Sequence, residues 1–305
     1  MAPIPATTRH CLVIHNPVAG QRHGGFLAAT LDQLRAAGAS VTVRDTTARG
    51  DAEAYAREAS RGTWDLVVAA GGDGTINEVV NGLVGSAMPL AIVPLGTANV
   101  LASELGLPRQ PEAVARAIAV GLARPVTLGR ATSPLGTRHF ILMAGIGFDA
   151  HVVRDVNTNL KRRFGKLAYV AEMVRQTRLF SFPAYEILVD GRAVTAASAV
   201  IANGRHYGGP WMITPRAGLG RESLALCLFR RRGLWNVTRY AVALALGLLP
   251  RLPDFEVIEG QKITIPGPAG EPVQGDGDLV AVLPVSLELA PERLLLVPGP
   301  FSDQA

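Results

Sequence analysis

The sequence predicts an α/β domain built on a parallel sheet, followed by an antiparallel β domain carrying helical insertions. Three observations lead there. Up to about residue 124, apolar strand-like runs alternate with helix-like runs, the pattern of a parallel sheet covered on both faces. Beyond Arg124 the runs shorten and are bounded by Gly and Pro, as in antiparallel β structure. Of the 305 residues, 48% are apolar and 18% charged, enough for a substantial core and unlike a disordered chain.

In chain order, "CLVIHN" reads as a strand, "GGFLAATLDQLRAAG" as a helix closed by Gly38, and "SVTVRDT" as a strand. "DAEAYAREASRG" reads as a helix capped by Asp51 and ended by Gly62. "DLVVAA" is a strand, and "TINEVVNGL" has helical spacing after a glycine turn; "PLAIVPLG" and "ANVLASELGL" add another strand and helix. In the second part, "RPVTLGRAT" and "RHFILMAGIGFD" read as short strands. "AYEILVDGRAVTAASAVIANG" reads as a hairpin turning at Asp190-Gly191, the dipeptide favoured in tight hairpins. "LALCLFRR", "FEVIEGQKITIPG" and "VSLELA" continue the pattern, with helical insertions near Lys166 to Leu179 and Leu234 to Leu249. The expected domains are 1–124 and 125–305, the last few residues returning to the first.

Composition narrows the chemistry. The formal net charge is +5, carried by Arg, with Lys only at 161, 166 and 262. Such a balance suits anionic nucleotides or an anionic membrane surface and gives no reason to expect nucleic acid. The opening "MAPIPATTRHCLVIHNP" lacks a basic start followed by a long apolar run, so a signal peptide is not expected. Cys11 and Cys227 lie in apolar runs, as buried thiols of a reducing, cytoplasmic compartment would. The charge-free stretch Val79 to Ser103 is long enough to raise a membrane span. Asn81, Gly82, Gly85, Pro89, Pro94, Gly96 and Asn99 within it read as turns. Six histidines show no metal-ligand spacing, and two cysteines make no Cys₄ site. His151 and His206 read as polar structural residues.

The loops carry the function. "HNPVAG", "RDTTARGD", "GGDGT" and "PLGTAN" each follow a predicted strand directly. In parallel sheets ligands sit beyond the carboxyl ends of strands, so these loops should converge on one crevice. Backbone N–H groups of Gly71, Gly72, Asp73, Gly74 and Thr75, with the following helix start, form an anion site. An acid there would repel a bare phosphate, so Asp73 is best explained by Mg²⁺, which bridges carboxylates to phosphates. The plain alternative is a glycine-rich turn with Asp73 capping the helix. Thr75 would cap that helix or touch a phosphate oxygen. Thr97 and Asn99 would likewise cap the next helix or complete a nucleotide pocket. No G-x-x-x-x-G-K-[ST], G-x-G-x-x-G or G-x-S-x-G occurs.

"GGDGTINEVVNGL" followed by "PLGTANVLASELGLP" resembles the diacylglycerol kinase catalytic domain, shared by bacterial soluble lipid kinases, sphingosine kinases and ceramide kinases. "CLVIHNPVAG", "MAGIGFDAHVV", "FGKLAYVAEMVR" and "ANGRHYGGPWMITPRA" resemble further motifs of that family in order. The resemblance implies a nucleotide-binding α/β domain followed by a β-sandwich, with the active site between them. It implies ATP-dependent transfer of the γ-phosphate to a lipid hydroxyl, diacylglycerol being the default acceptor. Asn16, Thr46, Gly71 to Thr75, Asn77, Glu78, Thr97 and Asn99 would surround ATP and Mg²⁺. Sphingoid-base or ceramide kinases share every motif. An NAD kinase shares the GGDG turn, and a non-catalytic lipid- or nucleotide-binding module also stays open.

A kinase of this type needs an acceptor for the hydroxyl proton. "EPVQGDGDLVAVLPV" matches the family's Asp-Gly-Glu signature with Asp in place of Glu at 278. By resemblance Asp276 is the candidate base, Asp278 its partner or a metal contact, and Asp73 a rival; alone, D-G-D would read as a tight turn. In "TPRAGLGRESLALCLF", Arg221 and Glu222 stand where relatives often carry an Asp-Gly pair and Ala225 where a further Asp follows, acids that hold a structural Mg²⁺ in those relatives. That second site is therefore expected to be absent or replaced by a salt bridge involving Arg221. "LKRRFGKLAY" and "FRRRGLWNVTRYAVALALGLLPRL" place basic residues beside aromatics, which suits reversible association with the inner membrane face. The plain alternative packs Leu234 to Leu249 inward. A homodimer is left open.

Overall fold

The computed structural model describes residues 9–19, 24–155 and 183–299. The chain divides into two compact units, one running to Val126 and resumed from Glu292, the other comprising Thr127–Pro291.

In the first unit β1 (His10–His15), β2 (Ser40–Asp45), β3 (Leu66–Gly71) and β4 (Leu90–Pro94) form a parallel sheet in the order β2-β1-β3-β4. The helices are α1 (Gly24–Ala36), α2 (Asp51–Ala59), α3 (Asp73–Leu83), α4 (Val100–Glu104) and α5 (Pro111–Val120). Alternation along the strands serves both faces: Cys11, Val13, Val68, Ala70 and Val93 join Leu31, Leu34, Val114 and Ile118 of α1 and α5 in one core. Leu12, Ile14, Val67 and Ala69 are buried on the other face. The chain's last strand ends here, with Leu296 paired parallel to Leu90.

The order places a topological switch point between β1 and β3, where ligands of open α/β sheets sit. Some local expectations change. Gly50, in the left-handed region, is the N-cap of α2. Asp51 instead accepts the Thr47 and Ala48 amides at 2.7 and 2.8 Å, and these bonds hold its carboxyl below the usual range. Helix α5 was not read from the sequence. It opens on Pro111, which is preorganised for a first helical position.

The second unit is a sandwich of two antiparallel sheets. Its elements are β5 (Arg124–Ser133), β6 (Gly136–Phe140), β7 (Met143–Ile146), α6 (Phe148–Asp155), β8 (Tyr185–Val189), β9 (Arg192–Ala196) and β10 (Ser198–Ala202). They continue with β11 (His206–Tyr207), β12 (Trp211–Met212), β13 (Leu224–Phe229), α7 (Leu234–Ala245), β14 (Phe255–Gly260), β15 (Lys262–Ile265), β16 (Pro272–Gly275), β17 (Asp278–Val282) and β18 (Val285–Leu296). One sheet runs β14-β13-β10-β7-β16-β17; in the other, β9-β8-β15-β18 continues to β5 and β6. Phe140, Ile146, Ile187, Ile201, Leu226, Ile263, Val273 and Leu287 pack between them.

The Asp190-Gly191 turn forms as expected, with φ of 47° and 84°, but it joins only β8 and β9. β10 crosses to the other sheet, so the expected single hairpin is in fact three strands. "RHFILMAGIGFD" likewise divides, between β6 and β7. The insertion Lys166 to Leu179 and the basic cluster around Phe164 lie outside the described residues. Cys11 and Cys227 are buried free thiols. Among the described residues no helix is long and apolar enough to cross a membrane.

Helices α2 and α3 cross where Gly82 lies against α2: a Cβ there would stand 2.4 Å from the Glu53 carbonyl oxygen and 2.7 Å from the Ala56 Cβ. Backbone cannot yield as a side chain can. Gly82→Ala should therefore destabilise the fold by about 1–3 kcal/mol, despite Ala's better helix propensity, measured as a lowered urea midpoint at constant m-value.

Candidate active site

Two glycine turns meet at the carboxyl ends of β3 and β4. Gly72 is extended and immediately precedes α3, whose first residue is Asp73. Gly74 and Thr75 therefore belong to the helix's first turn rather than to a loop before it, and Thr75 is not the cap. The first N–H groups of such a helix have no intrahelical partner, and a dipole end adds to them. A Cβ on Gly96 would lie 2.6 Å from the Gly72 Cα, and one on Gly71 would lie 2.6 Å from the Thr75 Cβ. At Gly96 a side chain is excluded by the backbone of the other turn, and at Gly71 by the Thr75 side chain.

Asp73 ties the turns together. Its Oδ2 accepts the Asn99 amide at 3.0 Å and its Oδ1 the Val100 amide at 2.8 Å, so it caps α4 rather than α3. The expected caps of α4 are not used: Asn99 is left-handed without a side-chain cap bond, and Thr97 is exposed. Asn99 instead donates to the Gly96 carbonyl at 2.9 Å. Its own Oδ1 is buried without a hydrogen-bond partner.

From β1, the Asn16 side chain donates to Thr75 Oγ1 at 3.0 Å and its amide to the Ala70 carbonyl at 3.0 Å. From β2, the Thr46 amide donates to the His15 carbonyl at 2.8 Å. Asn16, Thr46, Gly71, Gly72, Asp73, Thr75 and Asn99 are thus drawn to one end of the sheet. Asn77 faces inward, 4% exposed, and accepts from Asn81; Glu78, one residue on, is half-buried. Gly96 was missed as a site residue, although "PLGTAN" carried it. A separate cavity of about 190 Å³, lined by Thr42, Arg44, Tyr55 and Trp64 among others, lies beside the edge strand and away from these turns.

In the second unit Asp276 and Gly277 form the two-residue turn between β16 and β17, with φ of 51° and 85°. The tight-turn reading and the special carboxylate therefore coexist. Asp276 is 7% exposed and accepts the amides of Ile141, Leu142 and Met143 at 2.7, 2.9 and 3.0 Å. Asn203, equally buried, grips the other side of that segment by donating to the Ile141 carbonyl at 2.7 Å. Asp278 is half-buried at the start of β17.

Gln274 donates to Asp149 at 2.8 Å and accepts the Gly277 amide at 3.0 Å, and Tyr207 also donates to Asp149. Desolvation pushes the Asp149 carboxyl above its usual range, only partly offset by these two donors. His151 pairs with Glu271 at 2.7 Å, and Tyr185 donates to the same carboxylate at 2.9 Å. Of the two alternatives expected at the altered loop, the Arg221 salt bridge is not seen among the described residues, where its exposed side chain has no partner. Ala225 is buried in β13 between Ala202 and Glu259.

The first unit's donor set fits a nucleotide phosphate with a divalent cation. Asp73 brings a carboxylate to the start of α3, each oxygen accepting one amide, and the unpartnered Asn99 Oδ1 adds a buried acceptor. Among the described residues no three His, Cys, Asp or Glu side chains form a metal cage. Mg²⁺ does not need one, since it takes one or two carboxylates plus substrate phosphates.

Removing the Asp276 carboxylate would strand three buried amides. Asp276→Ala should cost on the order of 2–4 kcal/mol, well above Asp278→Ala, when both are measured by urea unfolding. Asp149 makes stability depend on pH. Its raised pKa means the folded state holds a proton that the unfolded state releases, so stability falls as pH rises above the ordinary carboxylate range. Asp149→Asn should remove that decline in urea midpoints between pH 4 and pH 8, with the two proteins converging at the acid end.

Residues 10–131 match the diacylglycerol kinase catalytic domain, and residues 143–298 match the YegS C-terminal NAD kinase beta sandwich-like domain. The chain is 32% identical to a diacylglycerol kinase of Bacillus subtilis over 75% of its length and 76% of the relative's. It is 28% identical to a diacylglycerol kinase of Mycobacterium tuberculosis over 92% of each. A crystal structure of a diacylglycerol kinase from Bacillus anthracis superposes with a TM-score of 0.75 at 25% identity, covering 96% of this chain and 97% of that one. With paired glycine turns in an α/β unit and a carboxylate-anchored hairpin in a β-sandwich, the chain belongs to the diacylglycerol kinase catalytic-domain family of lipid kinases.

Proposed function

We propose that this lipid kinase transfers the γ-phosphate of ATP to a lipid hydroxyl, with diacylglycerol as its acceptor, at the inner face of a membrane. The observation that carries the proposal is the place of Asp73: the first residue of a helix, behind two glycines, with its carboxylate tying the two glycine turns together. The N–H groups opening α3 would hold nucleotide phosphates, with Asn16, Thr46, Glu78, Thr97 and Asn99 around the nucleotide. Bound Mg²⁺, held by Asp73, would neutralise phosphate charge.

Positioning and charge neutralisation supply most of the rate in phosphoryl transfer, so rigid loops matter more here than reactive side chains. Asp73 keeps the two glycine turns in register while it faces the cation. In the second unit Asp276 is the candidate base, held in orientation by three amides, with Asp278 as its partner just past the turn of the hairpin. Three amides already bond the Asp276 carboxylate, which limits how it can meet a substrate hydroxyl.

The test is transfer of labelled γ-phosphate from ATP–Mg²⁺ to diacylglycerol, monoacylglycerol, ceramide and sphingosine in mixed micelles. Diacylglycerol should be labelled, chelation of divalent cations should abolish the signal, and Asp73→Asn should lower kcat about 100-fold or more. Asp276→Asn should lower kcat more than it raises KM. Binding of ATP without transfer to any acceptor would overturn the proposal in favour of a binding module.

A further inference from the structure

Helix α7 is anchored on one side and bare on the other. Tyr240 and Ala243 are buried, and Tyr240 packs edge-on against Phe229 with ring centroids 5.0 Å apart. Buried Asp254 accepts from both Arg239 and Tyr240. The inner face of the helix is therefore fixed by packing and by a charge-assisted contact, and its rotation about its own axis is set.

What that rotation turns outward is apolar. Leu234, Trp235, Ala241, Val242, Ala245 and Leu246 are all exposed, at the spacing of a single helical face. Thr238 is the one polar side chain among them. Trp235 is 77% exposed, Leu246 65% and Val242 52%. Helix α7 also packs against β12, whose Trp211 and Met212 are themselves exposed. Scattered surface leucines need no explanation, but a continuous apolar face with two tryptophans does.

Charge at its ends narrows the occupant. Of the three arginines before α7, Arg230 is committed to Glu256 at 2.5 Å and Arg231 stands 3.6 Å from Asp254. Arg232 is exposed, and its side chain has no partner among the described residues. Arg251, six residues past the helix at the end of the 3-10 turn Leu249–Arg251, is exposed in the same way. An apolar face carrying tryptophan, bracketed by unpaired guanidinium groups, is the arrangement of a helix lying in the headgroup region of an anionic bilayer. A protein partner recognised through the same face would need acidic groups placed at both ends of a helix-length groove, a stricter match than a lipid surface demands.

We infer that the outer face of α7, with Trp211 and Met212 beside it, docks the enzyme onto an anionic phospholipid surface, inserting Trp235, Val242 and Leu246 while Arg232 and Arg251 meet lipid phosphates. The inference rests on the lipid-kinase reading and names the surface that reading requires. Single-helix docking of this kind is reversible, because neither the apolar face nor the two arginines would hold a protein on a bilayer alone.

Sedimentation with vesicles of phosphatidylcholine alone or with 30% phosphatidylglycerol tests it; the lipid fraction is chosen as roughly that of an anionic leaflet. The wild-type chain should bind the anionic vesicles. Trp235→Ala/Leu246→Ala should weaken binding about tenfold or more. Arg232→Gln/Arg251→Gln should weaken it about fivefold per arginine, and only on anionic vesicles. Phosphorylation of a short-chain diacylglycerol dissolved below its micelle concentration reads the active site independently and should be unchanged in both variants. Failure of the wild type to bind anionic vesicles, or undiminished binding by Trp235→Ala/Leu246→Ala, would overturn the inference while leaving kinase activity to stand. The same is true if that variant instead splits a dimer in sedimentation velocity, since a second copy would then be the occupant. Vesicle binding without transfer to the dissolved acceptor would sink the kinase proposal and support the docking face.

Discussion

Everything at the phosphate end of the first unit depends on one carboxylate that bonds across two turns. Asp73 opens α3 yet satisfies the first amides of α4. This holds the loop after β4 against the loop after β3 closely enough that Gly96 has no room for a side chain against the Gly72 Cα. A helix as short as α4 has little stability of its own, and a charged cap from another element supplies what its local sequence lacks.

Asp276 solves a related problem in the sandwich. The chain between β6 and β7 leaves one sheet for the other, and its backbone groups lose their ladder partners there. Buried N–H and C=O groups must be paired somewhere. Asp276 collects the amides of Ile141, Leu142 and Met143 while Asn203 takes the Ile141 carbonyl, so the crossing segment is clamped from both sides. The left-handed turn at Asp276-Gly277 is what brings the carboxylate inward. Each unit thus uses an acid of the family motifs to fix backbone, as expected of an enzyme that works mainly by positioning.

Much of this was legible in the residues. Periodicity located the parallel strands and the sandwich strands, because burial on two faces or one leaves a direct mark on hydrophobic spacing. The glycine turns were legible because only close backbone approach explains so many glycines around one acid. Contacts across long sequence separations were not. Nothing local in "GGDGT" shows that Asp73 would cap a helix starting at Val100, or that Thr75 would be held by Asn16. Helix α5 escaped notice although "PEAVARAIAV" is amphipathic, burying Val114, Ala115, Ala117 and Ile118, because it is Ala-rich and opens on a proline that reads as a turn. The division of "AYEILVDGRAVTAASAVIANG" between two sheets was hidden because β9 and β10 are separated by a single residue, Ala197, with no turn signal. The outward face of α7 could not be separated from an inward one by its composition; the Tyr240 and Asp254 anchor decides it.

The most direct measurement is a crystal structure of the protein with a non-hydrolysable ATP analogue and Mg²⁺. On this account the terminal phosphates lie on the amides that open α3, Asp73 contacts the cation, and its bonds to the Asn99 and Val100 amides persist. A nucleotide bound elsewhere, or phosphates at this turn with Asp73 making no contact to the cation, would contradict it.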